Sequence, residues 1–442
     1  MKNTFSNRTL FLISLMLFSM FFGAGNLIFP PMVGKLAGTE MPYAMLFFGI
    51  TAVLLPVLGM MAVAKTRGLP NLGLRVGKEF ATPFTILVYM SIGPFLAIPR
   101  AGSVPFEMAI APYLPAQFSK PLALLLYTAV FFILAGIVSL MRNKTMNKVM
   151  GDILTPALLI MLFALYIGTL FADMPPYGQP LGEYAVHPSA KGFIDGYLTM
   201  DTLAALNFGL VISLAIESYG INDKKSILHI NIKISMLAGC ILFLIYMMLA
   251  DIGAKTASLF PDTTNGAQIL VFVSDRLFGK FGAVILALIF TLACLTTCIG
   301  LIASISHYFT TLVPRLSYTV WVIIWTIISF LFANIGLDGI LKYNIPILTA
   351  IYPVSIMLII LALSAKIIGT GRILYRSTIY VTAIISIVNA LDQAKLIIPG
   401  FTPLIRKLPF YTAGLGWLIP AFTVLGASAL IEKCINGRGH TV

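Results

Sequence analysis

The run Phe21-Phe22-Gly23-Ala24-Gly25-Asn26-Leu27-Ile28-Phe29-Pro30-Pro31 sets two glycines, an asparagine and two prolines inside the first long apolar segment. Glycine weakens a helix, and proline removes a backbone donor and clashes with the preceding turn. In hydrocarbon, freed backbone groups must be taken up by protein or by a water-lined cavity. A helix unwound near residues 22–25 would offer carbonyl oxygens, the ligands a hard cation prefers. A half-helix restarting near Asn26 would turn free N–H groups and its positive dipole end toward the gap, a place for a carboxylate. The alternative is a glycine packing face with a proline kink. Gly23 and Gly25 are two apart, however, and a packing stripe needs a spacing of four.

Three further constellations follow. The sixth apolar segment carries Asp201, Asn207, Phe208, Gly209, Ser213, Glu217 and Ser218. Carboxylates at membrane depth are functional candidates, although Asp201 falls near the predicted outer boundary and Glu217 near Lys224 and Lys225. Asn207-Phe208-Gly209 reads as a second helix break. The eighth segment holds Ala293, Cys294, Thr296, Thr297 and Cys298. Its adjacent hydroxyls diverge by about 100° on a helix, so they either flank one small ion or bond back to carbonyls a turn earlier. The third segment reads Ile92-Gly93-Pro94-Phe95-Leu96-Ala97-Ile98-Pro99-Arg100, followed by Glu107. Its prolines bend or break the helix and leave Arg100 near the outer end, in either an interfacial or a substrate-path role.

The elements that position these residues follow from composition. The 442 residues are 59% hydrophobic and 10% charged, against about 25% charged in soluble domains, and the mean hydropathy is +0.97. The chain is predicted to be an all-α polytopic membrane protein. Twelve apolar segments reach the ~20 residues that a spanning helix needs: 9–36, 42–64, 81–99, 121–140, 149–171, 196–220, 231–253, 281–305, 317–335, 345–364, 377–396 and 412–431. The first resembles a secretory leader up to Gly25, but its apolar character resumes at Leu27, which favours an uncleaved span.

The net charge of +13 comes from short loops between spans, the pattern of the positive-inside rule and not of nucleic-acid binding. Lys65, Arg67, Arg75, Lys78, Arg142, Lys144, Lys148, Lys224, Lys225, Arg372 and Arg376 share one side with Lys2 and Arg8. This places both termini in the cytoplasm and supports an even number of spans. The four cysteines make no disulfide framework; Cys240, Cys294 and Cys298 fall in apolar spans and Cys434 in the tail. Five helices separate the interruptions of segments 1 and 6, so two five-helix halves would be inverted. No Walker, HExxH or GxSxG motif occurs. That leaves gradient-driven transport, a channel, or a membrane enzyme built on Asp201, Glu217 and Asp251.

At FFGAGNLIFPP, GPFLAIPR and TMDTLAALNFG the sequence resembles the bacterial branched-chain amino acid:cation symporters, the BrnQ-type carriers of the LIVCS family in the amino acid–polyamine–organocation superfamily. The resemblance spans the whole chain. It implies a LeuT-like fold: two inverted five-helix repeats (about 9–171 and 196–364), discontinuous helices 1 and 6, and two extra helices (377–431). It implies import of leucine, isoleucine and valine across the cell membrane, coupled to Na⁺ as the transported ion, with no other cofactor, no nucleic-acid partner and no enzymatic activity. Carried over by motif, the ion would be held by Ser19 and Phe22 carbonyls with Ala293, Thr296 and Thr297. The substrate would meet Phe21, Gly23, Ala24, Gly25 and Asn26, with Asn207, Phe208 and Gly209 from helix 6. Segment 3 departs from the LeuT pattern, with Gly-Pro where a substrate-contacting tyrosine is expected; Tyr89 lies nearby. Proton coupling through Asp201 or Glu217, with other neutral amino acids as cargo, is the alternative.

Overall fold

A computed structural model of the chain describes residues 6–115, 117–141, 149–263 and 266–438. Lys2, Arg142, Lys144 and Lys148, used above for orientation, lie outside the described residues. The helices in chain order are α1 (Asn7–Phe21), α2 (Ala24–Ala37), α3 (Met41–Gly49), α4 (Leu55–Thr66), α5 (Leu69–Leu74), α6 (Lys78–Met90), α7 (Ala97–Ala109), α8 (Lys120–Ser139), α9 (Thr155–Phe171), α10 (Glu183–Val186), α11 (Pro188–Tyr197) and α12 (Asp201–Glu217). They continue with α13 (Lys224–Thr256), α14 (Gly266–Phe278), α15 (Lys280–Leu312), α16 (Tyr318–Ala333), α17 (Leu337–Ile368), α18 (Arg372–Gln393), α19 (Phe401–Ile405) and α20 (Leu418–Arg438).

Each of the twelve predicted segments coincides with helix. Among the described residues, eight helical runs are long and apolar enough to cross a membrane, nine if α11 and α12 form one span. Their outward faces are apolar. On α8, Leu126, Val130, Ile133 and Ile137 are all more than half exposed, the i, i+4, i+7, i+11 stripe of a helix that meets lipid instead of water.

Local chemistry sets the ends. Ser6 caps α1 by accepting from the Arg8 N–H at 3.2 Å. Asp223 caps α13 by accepting from the Ser226 N–H at 2.9 Å, and that bond holds its carboxyl below the usual carboxylate range. The chain leaves α4 through Arg67 in the left-handed region, followed by Gly68 at φ +119°.

Three spans are interrupted. The first breaks at Phe22-Gly23, both extended, between α1 and α2. The third passes through a π turn at Ser91–Phe95 with Gly93 non-helical and restarts as α7. The predicted end of this segment at residue 99 is therefore corrected: the Gly93-Pro94 break restarts the helix, and Arg100 sits in the first turn of α7, not at an outer end. The sixth is broken, with α11 and α12 meeting at 43°, but not at Asn207-Phe208-Gly209. Those residues lie inside unbroken α12; the chain departs from helix at Leu198–Met200, where Met200 takes φ +70°. Gly209 is there for packing, because a Cβ on it would stand 2.8 Å from the Val63 side chain of α4. The stretch 254–280, between the seventh and eighth predicted segments, also contains a helix, α14.

Glycines let α2 touch its neighbours backbone to backbone. A Cβ on Gly34 would run into the Ala250 carbonyl of α13, one on Gly253 into the Pro31 carbonyl, and one on Gly266 of α14 into the Ile28 carbonyl. Lys35, buried at the end of α2, donates to the carbonyls of Pro261 and Thr263 at 2.7 and 2.8 Å and to the Thr263 hydroxyl at 2.6 Å.

Candidate functional site

The two breaks face each other. At the first, the Phe22 N–H still donates to the Phe18 carbonyl at 2.8 Å, after which the chain extends and α2 begins. The Asn26 side chain folds back so that its Oδ1 accepts from the Gly23 N–H at 3.0 Å. The remaining first-turn N–H groups of α2 have no intrahelical acceptor. At the second break Met200 places Asp201 at the start of α12. Asp201 is 1% exposed, so the alternative of a solvated boundary residue is set aside. Its carboxylate accepts from Asn26 Nδ2 at 3.0 and 2.8 Å and from the Tyr246 hydroxyl of α13 at 2.6 Å. The Tyr246 oxygen also meets the Asn26 amide. One buried cluster thus ties together α2, α12 and α13.

Between the breaks lies a cavity of about 20 Å³, lined among others by Phe21, Gly25, Arg100, Met200, Asp201 and Thr297. It is roughly the size needed for a single water. Gly23, Ala24 and Asn26 also line it, so the structure brings the first-helix residues named from sequence to one cavity wall. Asn207, Phe208 and Gly209 do not reach this wall. Phe208 packs one layer behind it, edge-on to Phe21 with ring centroids 5.6 Å apart. The Asn207 Oδ1 accepts from the Ser304 hydroxyl of α15 at 2.9 Å. Tyr89 stacks on Tyr308 at 4.3 Å and lies outside the lining.

A second set of oxygens gathers on the other side of the first break. The Thr296 hydroxyl lies 3.0 Å from the Ser19 carbonyl and 3.0 Å from the Ala293 carbonyl, and the Thr297 hydroxyl 3.3 Å from the same Ser19 carbonyl. Ser19 and Thr296 are buried. Thr296 also bonds back to the Leu292 carbonyl a turn earlier at 3.1 Å, while both hydroxyls reach across to α1. Phe22 is the C-cap of α1, beside this cluster in sequence. Gly23 keeps the approach open, because a Cβ there would stand 2.9 Å from the Thr297 hydroxyl.

The other carboxylates lie apart from the centre. Glu217 is exposed at the end of α12 and lines a recess of about 360 Å³ with Lys65, Arg67, Lys224 and Lys225 at one end of α13. Beyond the other end of α13 is a recess of about 820 Å³ lined by Ile28, Glu107, Lys120, Phe260 and Asp262. There Glu107 pairs with Lys120 at 2.8 Å; Asp251, outside that lining, pairs with Lys255 at 2.8 Å.

Sequence reasoning missed Tyr246, Lys35 and the central place of Arg100. Tyr246 sits in an unremarked apolar run. Arg100 did carry a signal, as a lone cation in an apolar stretch, but the helix boundary drawn before it hid its depth.

Two broken helices that meet at a central cavity, with paired hydroxyls of α15 against the carbonyl end of α1, give the chain a LeuT-like fold. The structure of Mhp1, a nucleobase-cation-symport-1 family transporter in a closed conformation with bromovinylhydantoin bound, shares this fold with a TM-score of 0.59, covering 96% of this chain and 93% of that one at 13% identity. The chain belongs to the branched-chain amino acid transport protein family, whose profile matches residues 6–435. It is 37% identical over 429 residues to the branched-chain amino acid permease BraB of Bacillus subtilis, covering 97% of this chain and 96% of the relative. It is 36% identical over 426 residues to the branched-chain amino acid transport system 2 carrier protein of Pseudomonas aeruginosa, covering 96% of each.

Proposed function

We propose that this carrier imports leucine, isoleucine and valine with Na⁺ by alternating access, with both termini in the cytoplasm and two inverted halves at about 9–171 and 196–364. The observation that carries this reading is the convergence of the Ser19 carbonyl with the Thr296 and Thr297 hydroxyls across the first break, directly beside the cavity. These are oxygen ligands without a formal charge, the donor set for a hard monovalent cation. With the ion in place the hydroxyl hydrogens turn away and their oxygens face it together with the Ser19 and Ala293 carbonyls. The substrate carboxylate meets the N-terminal turn of α2. Its ammonium meets carbonyls freed at the two breaks, and its branched side chain displaces the apolar wall toward Phe21 and Phe208.

Na⁺ bridges α1 to α15 while substrate bridges α2 to α12. If both favour the same occluded state, each raises the other's affinity by the same factor. A potential of 100 mV adds about 2.3 kcal/mol per charge moved, roughly 50-fold accumulation before any Na⁺ gradient is counted.

The burial of Asp201 beside the cavity favours one second reading, in which the coupled ion is a proton. Labelled leucine uptake into proteoliposomes, with Na⁺ and pH gradients imposed separately, separates the two. Accumulation driven by Na⁺ alone is expected. Accumulation driven only by the pH gradient selects the proton, and no leucine uptake under either gradient overturns the substrate assignment.

A further inference from the structure

We propose that Arg100 is the carboxylate-binding residue of the transported amino acid, gripping it against the N-terminal turn of α2. The inference rests on the amino-acid substrate proposed above.

Arg100 is 3% exposed. A guanidinium offers five N–H donors and accepts nothing, and its burial is costly unless an anion or several acceptors meet it. Here the side chain makes one hydrogen bond, from Nη1 to the Leu198 carbonyl at 3.1 Å. Its Nε is buried without a partner. None of the ion pairs among the described residues includes it. Phe29 presents a ring face 5.9 Å from its Cζ.

The fork is aimed at the first break. Its Nη2 stands 2.8 Å from the position a Cβ on Gly25 would take, and both residues line the central cavity. Free N–H groups of a helix N-terminus and an under-bonded guanidinium thus converge on one small volume. Both select an anion, and the planar fork suits the two oxygens of a carboxylate. The buried anion on the same cavity wall, Asp201, is already held by Asn26 and Tyr246. It leaves Arg100 unpaired but sets an opposite charge on the same cavity wall, the arrangement a zwitterion would bridge. Carboxylate binding also replaces the bond to Leu198, which frees that carbonyl at the second break for the ammonium. Substrate entry in this way exchanges one internal bond for contacts to three broken spans.

The test measures binding of leucine and of leucine methyl ester, which lacks the anionic carboxylate, to the purified full-length protein in Na⁺. Arg100→Gln is expected to weaken leucine at least tenfold, and Arg100→Lys, which keeps the charge but not the fork, by several-fold. The ester should change less than twofold, and Na⁺-induced thermal stabilisation should persist. Leucine affinity within twofold of wild type in Arg100→Gln, or an ester affinity that falls as far as that of leucine, overturns the proposal. A readout that needs no variant is magnetic-resonance recoupling between ¹⁵N-arginine protein and carboxyl-¹³C leucine. A nitrogen–carbon separation near 4 Å is expected for a bidentate pair, and absence of coupling overturns the assignment. Failure of the wild-type protein to bind leucine at all counts against the substrate reading instead.

Discussion

Asn26 and Asp201, 175 positions apart in sequence, are joined by the Asn26 amide donating to both carboxylate oxygens at 3.0 and 2.8 Å. The bond closes the gap between the two broken helices. In Asp201→Asn an amide would confront the Asn26 amide, leaving donors opposed in a buried site at a cost of about 1–3 kcal/mol. Leucine uptake at saturating Na⁺ is expected to fall about tenfold, with the residue of activity still Na⁺-dependent. Tyr246→Phe, which removes one donor to the same carboxylate, should cost less. Na⁺-independent residual uptake in Asp201→Asn would move the coupling ion to this carboxylate.

The Na⁺ requirement should follow the hydroxyls of α15. Removing both in Thr296→Ala/Thr297→Ala takes away two of the oxygens set against Ser19 and should raise the half-saturating Na⁺ concentration at least tenfold, read from uptake against a Na⁺ titration. An unchanged Na⁺ curve would sink the ion-site assignment.

Gly23 and Gly25 should fail differently, although they are separated only by Ala24. A Cβ on Gly23 meets the Thr297 hydroxyl at 2.9 Å, whereas one on Gly25 meets Arg100 Nη2 at 2.8 Å and the Leu198 carbonyl at 3.2 Å. Gly23→Ala is therefore expected to raise the Na⁺ requirement, and Gly25→Ala or Gly25→Val to weaken leucine binding at saturating Na⁺. Parallel titrations of Na⁺ and leucine check this, and identical profiles for the two variants would contradict it.

The all-helical character and the order of the apolar segments were legible because each is a long apolar run, and the first break because Gly23, Gly25 and Pro30 contradict that run locally. The second break was not. Asn207 and Gly209 look like an interruption, yet a helix accepts both when Ser304 bonds the amide and Val63 packs on the glycine. The actual departure, at Leu198-Thr199-Met200, uses a methionine at φ +70°, a conformation no residue type there announces. The approach of the Thr296 and Thr297 hydroxyls to the Ser19 carbonyl was readable from the Ala293-Thr296-Thr297 spacing combined with family resemblance. The Asn26–Asp201–Tyr246 cluster depends on three helices meeting, which spacing along one chain does not encode.

Stability should be sensitive at the interlocked glycines of α2 and α13. Gly253→Ala drives a methyl group into the Pro31 carbonyl, an overpacking that costs about 1–3 kcal/mol or more where backbone cannot yield. A lower melting temperature in detergent is expected, unlike Gly426→Ala on α20, where a Cβ meets nothing within 4 Å.

Those glycine contacts also determine what can serve as a hinge. Gly34 against Ala250, Gly253 against Pro31 and Gly266 against Ile28 fasten α2 to α13 and α14 by main chain alone, and Lys35 rivets the far end of α2 to Pro261 and Thr263. Force applied to one of these pieces is transmitted to all three. The half-helix proposed to hold the substrate's carboxylate end travels as cargo on α13, so the compliant joint between it and α1 is the short gap at Phe22-Gly23, one of the places where the proposed site puts the substrate itself.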